Sequence, residues 1–292
     1  MTDDHKLTTD HHAPGRLRRW INGQLPDRVE HWLRYWLIPD ESNLVYHILK
    51  DRAAERVMID VGACIGGALR NFANDGWEVY AFEPDPVNRE MLERRFDDAA
   101  WVHIDPRALS NEESSSVPFY RSDVSAGISG LSSFHESHTA AGTVETTTLG
   151  ASLREEQITA IDFVKVDTEG YDLFVLQGTP WNATRPRVIV CEFEDAKSVP
   201  LGYTFKDLAA YLDDLDYHVL VSEWRPIVNY SGPHRWRRFG RYPIALADER
   251  AWGNLIAMRD DDDYARLLSA SRALSLTWRF GAPIRRLLGS RA

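Results

Sequence analysis

The sequence has few cysteines and no long apolar run. Only two of its 292 residues are cysteines, Cys64 and Cys191. Two are too few for a disulfide framework or a zinc cluster, and they favour a reducing compartment. No apolar stretch approaches the roughly 20 residues that a membrane span needs, and residues 1–15 lack the apolar core of a signal peptide. We therefore expect a cytoplasmic protein without a membrane span.

The chain also has fewer basic residues than acidic residues. The chain has 34 Lys and Arg residues against 44 Asp and Glu residues, which gives a formal net charge of −10. An acidic surface repels polynucleotides, so we expect no nucleic-acid partner and favour a small-molecule or glycan substrate. At 43% hydrophobic residues, the chain can form one large domain with extensions.

From residue 57 onward, short apolar runs alternate with helical patterns. Strands that alternate with helices of this length predict a parallel sheet wound by crossover helices. We therefore predict an α/β fold with a doubly wound, mostly parallel, seven-stranded sheet. The core strands are predicted at residues 57–61, 78–83, 101–104, 161–166, 187–193, 217–221 and 252–258.

The rest of the chain is expected to flank this sheet or to connect its strands. Aromatic and apolar residues at helical spacing predict helices before the first strand, and the end of the chain is rich in arginine. The predicted regions are a disordered tail at 1–15, a helical N-terminal extension at 16–54, the α/β domain at 55–259 and an Arg-rich tail at 260–292. Within the domain, further strands are predicted at 117–120 and 144–149, and loops at 127–141 and 227–242.

The first strand ends in a glycine-containing turn, Asp60-Val61-Gly62-Ala63-Cys64-Ile65-Gly66-Gly67. In a doubly wound sheet, ligands bind at the carboxyl ends of the strands, near the point where the strand order reverses. Gly62 would bring backbone close to a ligand, and a helix after Gly66 would point its N–H groups at a carboxylate, such as that of a methionine moiety. Glu83 closes the second strand, where an acid can accept hydrogen bonds from both hydroxyls of a ribose.

Two residues of this turn favour an adenosyl amino acid over a dinucleotide. Cys64 stands where the dinucleotide fingerprint has its second glycine, and its side chain fits a pyrophosphate poorly. Asp60 is unfavourable beside phosphates and favourable beside an ammonium or sulfonium group. The alternative interpretation is a tight turn in an α/β protein that binds no ligand.

Several stretches of the chain resemble the FkbM-type methyltransferases. The first is similar to that family's D-V-G-A-N-x-G turn, with Cys64 in place of the usual Asn; the second resembles its E-P-x-P strand end, and the third its K-x-D-x-E-G signature. The matching runs are residues 59–66, 81–86 and 163–170, with shorter matches at 107–110 and 254–257, so the likeness covers residues 55–258.

This resemblance implies a class I, Rossmann-like methyltransferase that uses S-adenosylmethionine. It also implies O-methylation of hydroxyl groups on sugars, lipids or polyketide-type products. The residues that we expect to bind the cofactor are Asp60, Gly62, Ala63, Gly66, Glu83, Pro84, Ala108 and Asp167.

Two acids follow the fourth core strand and face the same side of the chain. Methyl transfer to an aliphatic hydroxyl needs alignment of the reacting atoms and removal of the hydroxyl proton. Residues i and i+2 of an extended stretch share a face, so Asp167 and Glu169 can both point into the cleft. We expect Asp167 to hold the cofactor's amino group or the acceptor, and Glu169 to be an acceptor ligand or the general base. The alternative makes Glu169 a cap for a helix that begins at Gly170.

Glu192 and Glu194 close the next strand at the same edge of the sheet. With Asp167 they offer oxygen ligands, so Asp167 and Glu192 are candidate ligands for Mg²⁺. Acids are common at strand ends, and acceptor binding without a metal is the alternative.

Two histidines lie in the Ser- and Gly-rich loop at 127–141. A histidine with a near-neutral pKa suits proton abstraction, which makes His135 a catalytic candidate, and such a loop suits a lid over a cleft. His138 is a candidate substrate ligand. Solvated histidines on a surface loop are the alternative.

Aromatic and basic residues cluster at 224–242, where a sugar or anionic glycan could stack and hydrogen-bond. The alternative is an ordinary loop that packs its aromatic residues on the core. The Arg-rich tail suits peripheral contact with anionic lipid or an acidic partner, a homodimer contact or solubility. Its run at 278–285 is similar to a short tail of some bacterial glycan-assembly proteins, which favours a surface polysaccharide or glycolipid acceptor. The residues expected to bind the substrate are Glu192, Glu194, His138, Trp224, His234 and Trp236.

The sequence thus predicts an S-adenosylmethionine-dependent O-methyltransferase that acts on a carbohydrate-containing acceptor. One alternative is a nucleotide-sugar oxidoreductase or epimerase that uses NAD(P). Cys64 and the lack of a Tyr-x-x-x-Lys pair after the fourth strand count against it. The other alternative is a non-catalytic α/β module that binds a ligand.

Overall fold

Residues 39–232 and 234–280 are described by a computed structural model. They form an α/β structure with one large sheet, one small sheet and helices on both faces of the large sheet. The strands are β1 (Val57–Val61), β2 (Glu78–Phe82), β3 (Val102–Asp105), β4 (Ala108–Ser110), β5 (Ser114–Ser122), β6 (His138–Thr148), β7 (Phe163–Val166), β8 (Val188–Glu194), β9 (His218–Trp224), β10 (Trp236–Arg241) and β11 (Trp252–Met258). The α-helices are α1 (Glu41–Leu49), α2 (Arg70–Asn74), α3 (Pro86–Arg95), α4 (Leu149–Glu155), α5 (Asp172–Gln177), α6 (Asp195–Ser198), α7 (Phe205–Asp213) and α8 (Asp261–Phe280).

The large sheet has the strand order β10-β9-β11-β8-β7-β1-β2-β3. Its central strands β8, β7, β1, β2 and β3 are parallel, while β11 is antiparallel to both β8 and β9. The predicted doubly wound, mostly parallel sheet is therefore confirmed.

The sheet has eight strands instead of the predicted seven. The additional strand is β10, which pairs antiparallel with β9 and occupies the edge of the sheet. It falls inside the region that the sequence assigned to a loop at 227–242. Its sequence is Trp-Arg-Arg-Phe-Gly-Arg, which contains three arginines and only a weak apolar alternation. Charged residues are common in edge strands, because they oppose pairing with another chain.

The strand order reverses beside β1. The chain runs from β1 outward through β2 to β3, and then returns to place β7 on the other side of β1. Val61 at the end of β1 pairs with Phe82 of β2 and with Val166 of β7. The turns after these three strands therefore meet at one edge of the sheet, which is where doubly wound folds bind their ligands.

A separate three-stranded sheet, β4-β6-β5, is built from the residues between β3 and α4. The predicted short strands at 117–120 and 144–149 belong to it, but β5 and β6 are longer than predicted. Residues 123–137 connect β5 to β6, so the predicted loop at 127–141 ends where β6 begins at His138. We call residues 108–148 the insertion.

The helices α1 and α8 pack against each other on one face of the large sheet. Leu44 and Leu49 of α1 and Leu267 and Leu274 of α8 are buried there. Residues 261–280 of the predicted Arg-rich tail therefore form a helix that contributes to the core. The division of the chain into four regions stays a prediction, and residues 1–38 and 281–292 lie outside the described part. No helix within the described part combines the length and the apolar character of a membrane span.

Asp263, in the first turn of α8, binds two arginines that precede strands of the large sheet: Arg52 lies before β1 and Arg187 before β8. Its carboxylate has no exposed surface and accepts hydrogen bonds from Arg52 Nε at 3.1 Å and Arg187 Nε at 2.6 Å. We expect Asp263→Ala to lower the free energy of unfolding by about 3 kcal/mol, because a buried charge pair loses one partner. Urea unfolding measures this change. Asp261→Ala is the matched control, since the Asp261 side chain is 92% exposed; equal effects of the two substitutions would contradict the assignment.

Candidate active site

The turn after β1 has an unusual backbone. Gly62 and Gly66 have left-handed φ values of 76° and 77°, and Cys64 has a φ of 50°. A Cβ on Gly62 would lie 1.9 Å from the carbonyl oxygen of Asp167, so no other residue fits at that position. Asn tolerates the left-handed region better than Cys does, which gives a physical reason for an Asn at the position that Cys64 occupies here.

The helix predicted after Gly66 is present and is short. Turns occupy the residues after Gly66, and α2 extends only from Arg70 to Asn74. That its N-terminal N–H groups point at a ligand stays a prediction.

Glu83 connects the turns after β1 and β2. Its Oε2 accepts a hydrogen bond from the backbone N–H of Cys64 at 2.6 Å, and its Oε1 accepts one from the N–H of Asp85 at 2.8 Å. Burial raises the pKa of Glu83 to about 7. The two elements that the sequence assigned to opposite ends of the cofactor are thus in direct contact.

A pocket opens between these turns and the insertion. Gly62, Pro84 and Ala108, three of the residues predicted for the cofactor, are part of its wall. The opposite wall comes from the insertion and includes Ser129, Gly130 and Leu131 of the loop that was predicted to be a lid, although none of these three residues was predicted individually. The lining residues are Val61, Gly62, Phe82, Pro84, Ala108, Leu109, Phe119, Ser129, Gly130, Leu131, Thr168 and Tyr171.

Asp60 is fully buried at the end of β1. Neither of its carboxylate oxygens has a hydrogen-bond partner among the described residues. Burial raises its pKa to about 6, although Lys165 on the neighbouring strand opposes the shift. A buried carboxylate without a partner is costly, and a ligand ammonium group would satisfy it. The residues of this site therefore fit an adenosyl amino acid.

Four carboxylates gather where β7 and β8 end. Lys165 Nζ contacts Asp167 at 2.9 Å, and Lys197 Nζ contacts Glu169 at 2.6 Å, Glu192 at 2.7 Å and Glu194 at 3.0 Å. We call Asp167, Glu169, Glu192, Glu194 and Lys197 the acidic cluster. Lys197 lies on the short helix α6, its side chain is only 2% exposed, and sequence reasoning missed it.

The carboxylates of the cluster differ in their affinity for a proton. Burial alone would raise the pKa of Asp167, but Lys165 and Lys197 outweigh it and hold the pKa below its usual range. Burial, together with neighbouring acids, raises the pKa of Glu169 to about 8 and that of Glu192 well above its usual value, against the attraction of Lys197. Asp167 therefore favours its ionised form, whereas Glu169 and Glu192 hold a proton more tightly than ordinary glutamates do.

A model of the methyltransferase FkbM domain matches residues 60–219, which is more than half of the chain. The chain belongs to the FkbM methyltransferase family. It is a methyltransferase that depends on S-adenosylmethionine, and the predicted family is confirmed. The oxidoreductase and non-catalytic alternatives are set aside.

Solved structures of other methyltransferases are similar to this chain in fold. A precorrin-6y C5,15-methyltransferase from Geobacter metallireducens is 12% identical, with 76% of this chain and 91% of that chain covered and a TM-score of 0.38. A magnesium protoporphyrin IX methyltransferase from Synechocystis PCC 6803, solved with bound SAM, is 11% identical, with 85% and 99% covered and a TM-score of 0.38. No curated protein matches the chain in sequence. These TM-scores are low, so the class I fold is assigned from the strand order and the family.

The K-x-D-x-E-G signature of the family accounts for much of the acidic cluster. It supplies Lys165, Asp167 and Glu169, and Gly170 follows with a φ of 100°. Glu169 itself has a φ of 56°, and no side chain caps the N-terminus of α5. The alternative role of Glu169 as a helix cap is therefore wrong, because its carboxylate pairs with Lys197 instead.

The structure offers no support for magnesium in this FkbM methyltransferase. Single carboxylate oxygens of Asp167, Glu169 and Glu192 do lie within 4.8 Å of one another. The ammonium group of Lys197, however, already contacts Glu169 and Glu192. It supplies the positive charge that a metal ion would bring to these carboxylates.

Of the two predicted histidines, His135 lies in the connection between β5 and β6, and His138 is the first residue of β6. His138 Nε2 contacts the carbonyl oxygen of Ile128 at 2.8 Å, and its Nδ1 accepts a hydrogen bond from the N–H of Phe134 at 3.3 Å, so both nitrogens hold the loop together. His135 Nδ1 lies 2.7 Å from Ser137 Oγ. The ring of His135 meets that of Tyr230, with centroids 5.2 Å apart. His138 is thus a structural residue of the loop in this structure.

Two segments, the β5–β6 connection and the residues between β9 and β10, each place an aromatic ring over Lys197 of the acidic cluster. The rings of Phe134 and Tyr230 lie over Lys197 Nζ, at 5.5 Å and 5.8 Å from their centroids. Tyr230 also donates a hydrogen bond to Glu194 at 3.2 Å. Neither ring is assigned a role of its own by the sequence patterns.

The tryptophans predicted to bind a sugar are packed inside the protein. Trp224 donates to Glu41 at 3.0 Å, and Trp236 donates to Ser222 at 3.1 Å, with both indoles only 4% exposed. The prediction of an aromatic docking surface at these two residues is wrong, because their rings pack on the core. His234 is partly buried, and its ring lies against Trp252.

Gly62→Ala tests the placement of the first turn. The added Cβ would overlap the carbonyl oxygen of Asp167, so we expect the folded variant to lose S-adenosylhomocysteine binding in calorimetric titration. Gly67→Ala is the matched control, because a Cβ there meets nothing within 4 Å. Normal affinity in a folded Gly62→Ala variant would refute the placement.

Asp60 makes cofactor binding depend on pH. The ionised carboxylate binds an ammonium group better than the protonated form does, so the S-adenosylhomocysteine affinity should fall as the pH drops through about 6. Asp60→Asn should weaken binding about tenfold at pH 8 and remove this part of the pH dependence. Calorimetry across pH measures both effects, with the exposed Asp98→Asn as control. An unchanged pH profile in Asp60→Asn would contradict the role.

Proposed function

We propose that this FkbM methyltransferase transfers the methyl group of S-adenosylmethionine to a hydroxyl of a carbohydrate-containing acceptor. The acceptor class comprises surface polysaccharides, glycolipids and related metabolites, and the reaction is placed in the cytoplasm. The observation that carries the proposal is the buried acidic cluster beside the cofactor pocket, which can take up a proton.

The cofactor supplies a methyl group bound to a positively charged sulfur. Asp60 would hold its ammonium group, because both carboxylate oxygens of Asp60 lack another partner. Glu83 would accept the ribose hydroxyls, since the N–H groups of Cys64 and Asp85 fix its carboxylate and its neighbours Phe82 and Pro84 line the pocket. Pro84 and Ala108 would contact the adenine from the pocket wall.

Glu169 is the general base in this proposal. An aliphatic hydroxyl is a weak nucleophile until its proton is removed as the new bond forms. A carboxylate with a pKa of about 8 takes up that proton far more readily than an ordinary glutamate does. The proton moves from the acceptor oxygen to Glu169, and that oxygen then carries the new methyl group. Lys197, at 2.6 Å, keeps the Glu169 side chain in place.

A sugar matches the groups around the base. Carboxylates such as Glu192 accept hydrogen bonds from several hydroxyls at once, and aromatic faces stack against sugar rings. Phe134 and Tyr230 supply such faces directly above Lys197. His135, whose ring lies against Tyr230, is adjacent to this space and remains a candidate acceptor ligand.

The Arg-rich end of the chain suits the glycolipid branch of this proposal. Arginines of α8 and of residues 281–292 would attract anionic headgroups. Peripheral lipid contact and a homodimer both stay predictions, because residues 281–292 lie outside the described part.

The direct test is transfer of a labelled methyl group from S-adenosylmethionine to fractionated host extracts. Label should enter the glycan or glycolipid fraction and resist alkali, as a methyl ether does and a methyl ester does not. Label confined to protein or nucleic acid would contradict the acceptor class. Gly62→Ala serves as the inactive control.

Glu169→Gln tests the base. We expect S-adenosylhomocysteine affinity to be retained and turnover to fall at least about 100-fold, because the amide cannot accept the proton. In the wild-type enzyme, turnover should rise with pH through about 8 as Glu169 becomes ionised. The variant should lose this rise, and the exposed Glu136→Gln should keep it. Unchanged turnover in Glu169→Gln would remove the residue from this role.

A further inference from the structure

The cofactor pocket is built from two separate parts of the fold. One wall belongs to the large sheet and contains Gly62 and Pro84. The other wall belongs to the insertion, through Phe119 on β5 and the loop residues Ser129 to Leu131. The shape of the pocket therefore depends on how firmly the insertion is held against the turn after β2.

An ion pair makes that connection. Arg121 of β5 donates from Nε to Asp85 Oδ2 at 2.9 Å, and its Nη2 donates to Asp85 Oδ1. The Asp85 side chain is only 3% exposed, whereas that of Arg121 is 36% exposed. A bidentate Arg–carboxylate pair with one buried partner is directional and stronger than an ordinary surface pair.

Asp85 also makes hydrogen bonds to Glu83 and to the N-terminus of α3. Its backbone N–H donates to Glu83 Oε1 at 2.8 Å, and its side chain caps α3 by accepting from Val87 N–H at 2.9 Å. The same residue thus holds Glu83, the N-terminus of α3 and the insertion. A second contact runs in parallel, from Asn88 Nδ2 to the carbonyl oxygen of Ala126 at 3.1 Å.

The insertion also carries a polar group that points to a ligand. Ser129 Oγ is buried without a hydrogen-bond partner among the described residues, and Ser129 lines the pocket. A buried hydroxyl without a partner is costly and is normally satisfied by a ligand or a water molecule. Ser129 belongs to the same insertion as Arg121, whose ion pair with Asp85 joins that insertion to the turn after β2.

We propose that Arg121 is a positioning residue for the cofactor. Its ion pair with Asp85 holds the insertion against the turn after β2, and so keeps the two walls of the adenosine pocket at the spacing that binding requires. Arg121 acts through Asp85 and touches no reacting atom. Its role depends on the cofactor and not on the acceptor, so failure of the carbohydrate assignment would leave it standing.

Arg121→Met in the full chain tests the proposal by calorimetric titration with S-adenosylhomocysteine. We expect Kd to rise about tenfold, which is typical of coupling between a positioning contact and a binding site. Arg121→Lys should recover part of the affinity, because it restores the charge without the bidentate geometry. Arg94→Met is the matched control, since Arg94 pairs with Glu90 on the exposed side of α3.

A purely structural role would give a different pattern. It would lower the free energy of unfolding in Arg121→Met while leaving the Kd of the folded variant at the wild-type value, and that result overturns the proposal. A double-mutant cycle with Asp85→Asn, which keeps the helix cap, supports it if the double variant binds no worse than either single variant. Additive losses would overturn it.

If Arg121→Met does not fold, amide hydrogen exchange of the wild-type protein tests whether the insertion closes on the cofactor. S-adenosylhomocysteine should slow amide exchange in residues 123–131 as well as in the turn after β1, because both walls close on the ligand. Protection of the turn with none in residues 123–131 would overturn the proposal. An absence of binding to the wild-type protein would overturn the cofactor assignment together with it.

Discussion

The pairing of β1 with a strand on each side is the constraint on which the site depends. Val61 is in register with Phe82 on one side and Val166 on the other, so three strands end at the same level. The close packing of Gly62 against the Asp167 carbonyl is possible only because of this register. A shift of one residue would turn the Asp60 side chain to the opposite face of the sheet and separate Glu83 from the first turn.

Two residues of the candidate site, Cys64 and Glu169, have a left-handed backbone conformation, which costs free energy in residues other than glycine. Each is held by a specific contact: Cys64 N–H donates to Glu83 at 2.6 Å, and the Glu169 side chain pairs with Lys197 at 2.6 Å. Strain and buried charge therefore occur together in this site, while the surrounding strands are regular and apolar. The stability of the sheet and of its two cores compensates for this cost.

Local patterns in the sequence are sufficient to predict the fold and the wall of the pocket that contains Gly62 and Pro84. The strand at 252–258 and the turn at 60–67 were predicted because apolar runs and glycine spacing are local signals. Lys197 was not, because it lies in an ordinary polar stretch and its partners come from other elements; the only available signal was that Glu192 and Glu194, at the end of an apolar run, would need a cation. Trp224 and Trp236 were misassigned because aromatic residues beside arginines look the same in sequence whether they pack inward or face solvent.

The proton capacity of the acidic cluster has a consequence for the overall charge of the cleft. In the proposed reaction the donor enters with a positively charged sulfur and leaves as a neutral thioether. The proton taken up by Glu169 replaces that lost charge within the same enclosed space, beside Lys197 and below Phe134 and Tyr230. In the proposed reaction the cleft would therefore keep a constant total charge from reactants to products. Release of that proton to solvent would then return Glu169 to its ionised form before the next cationic donor binds.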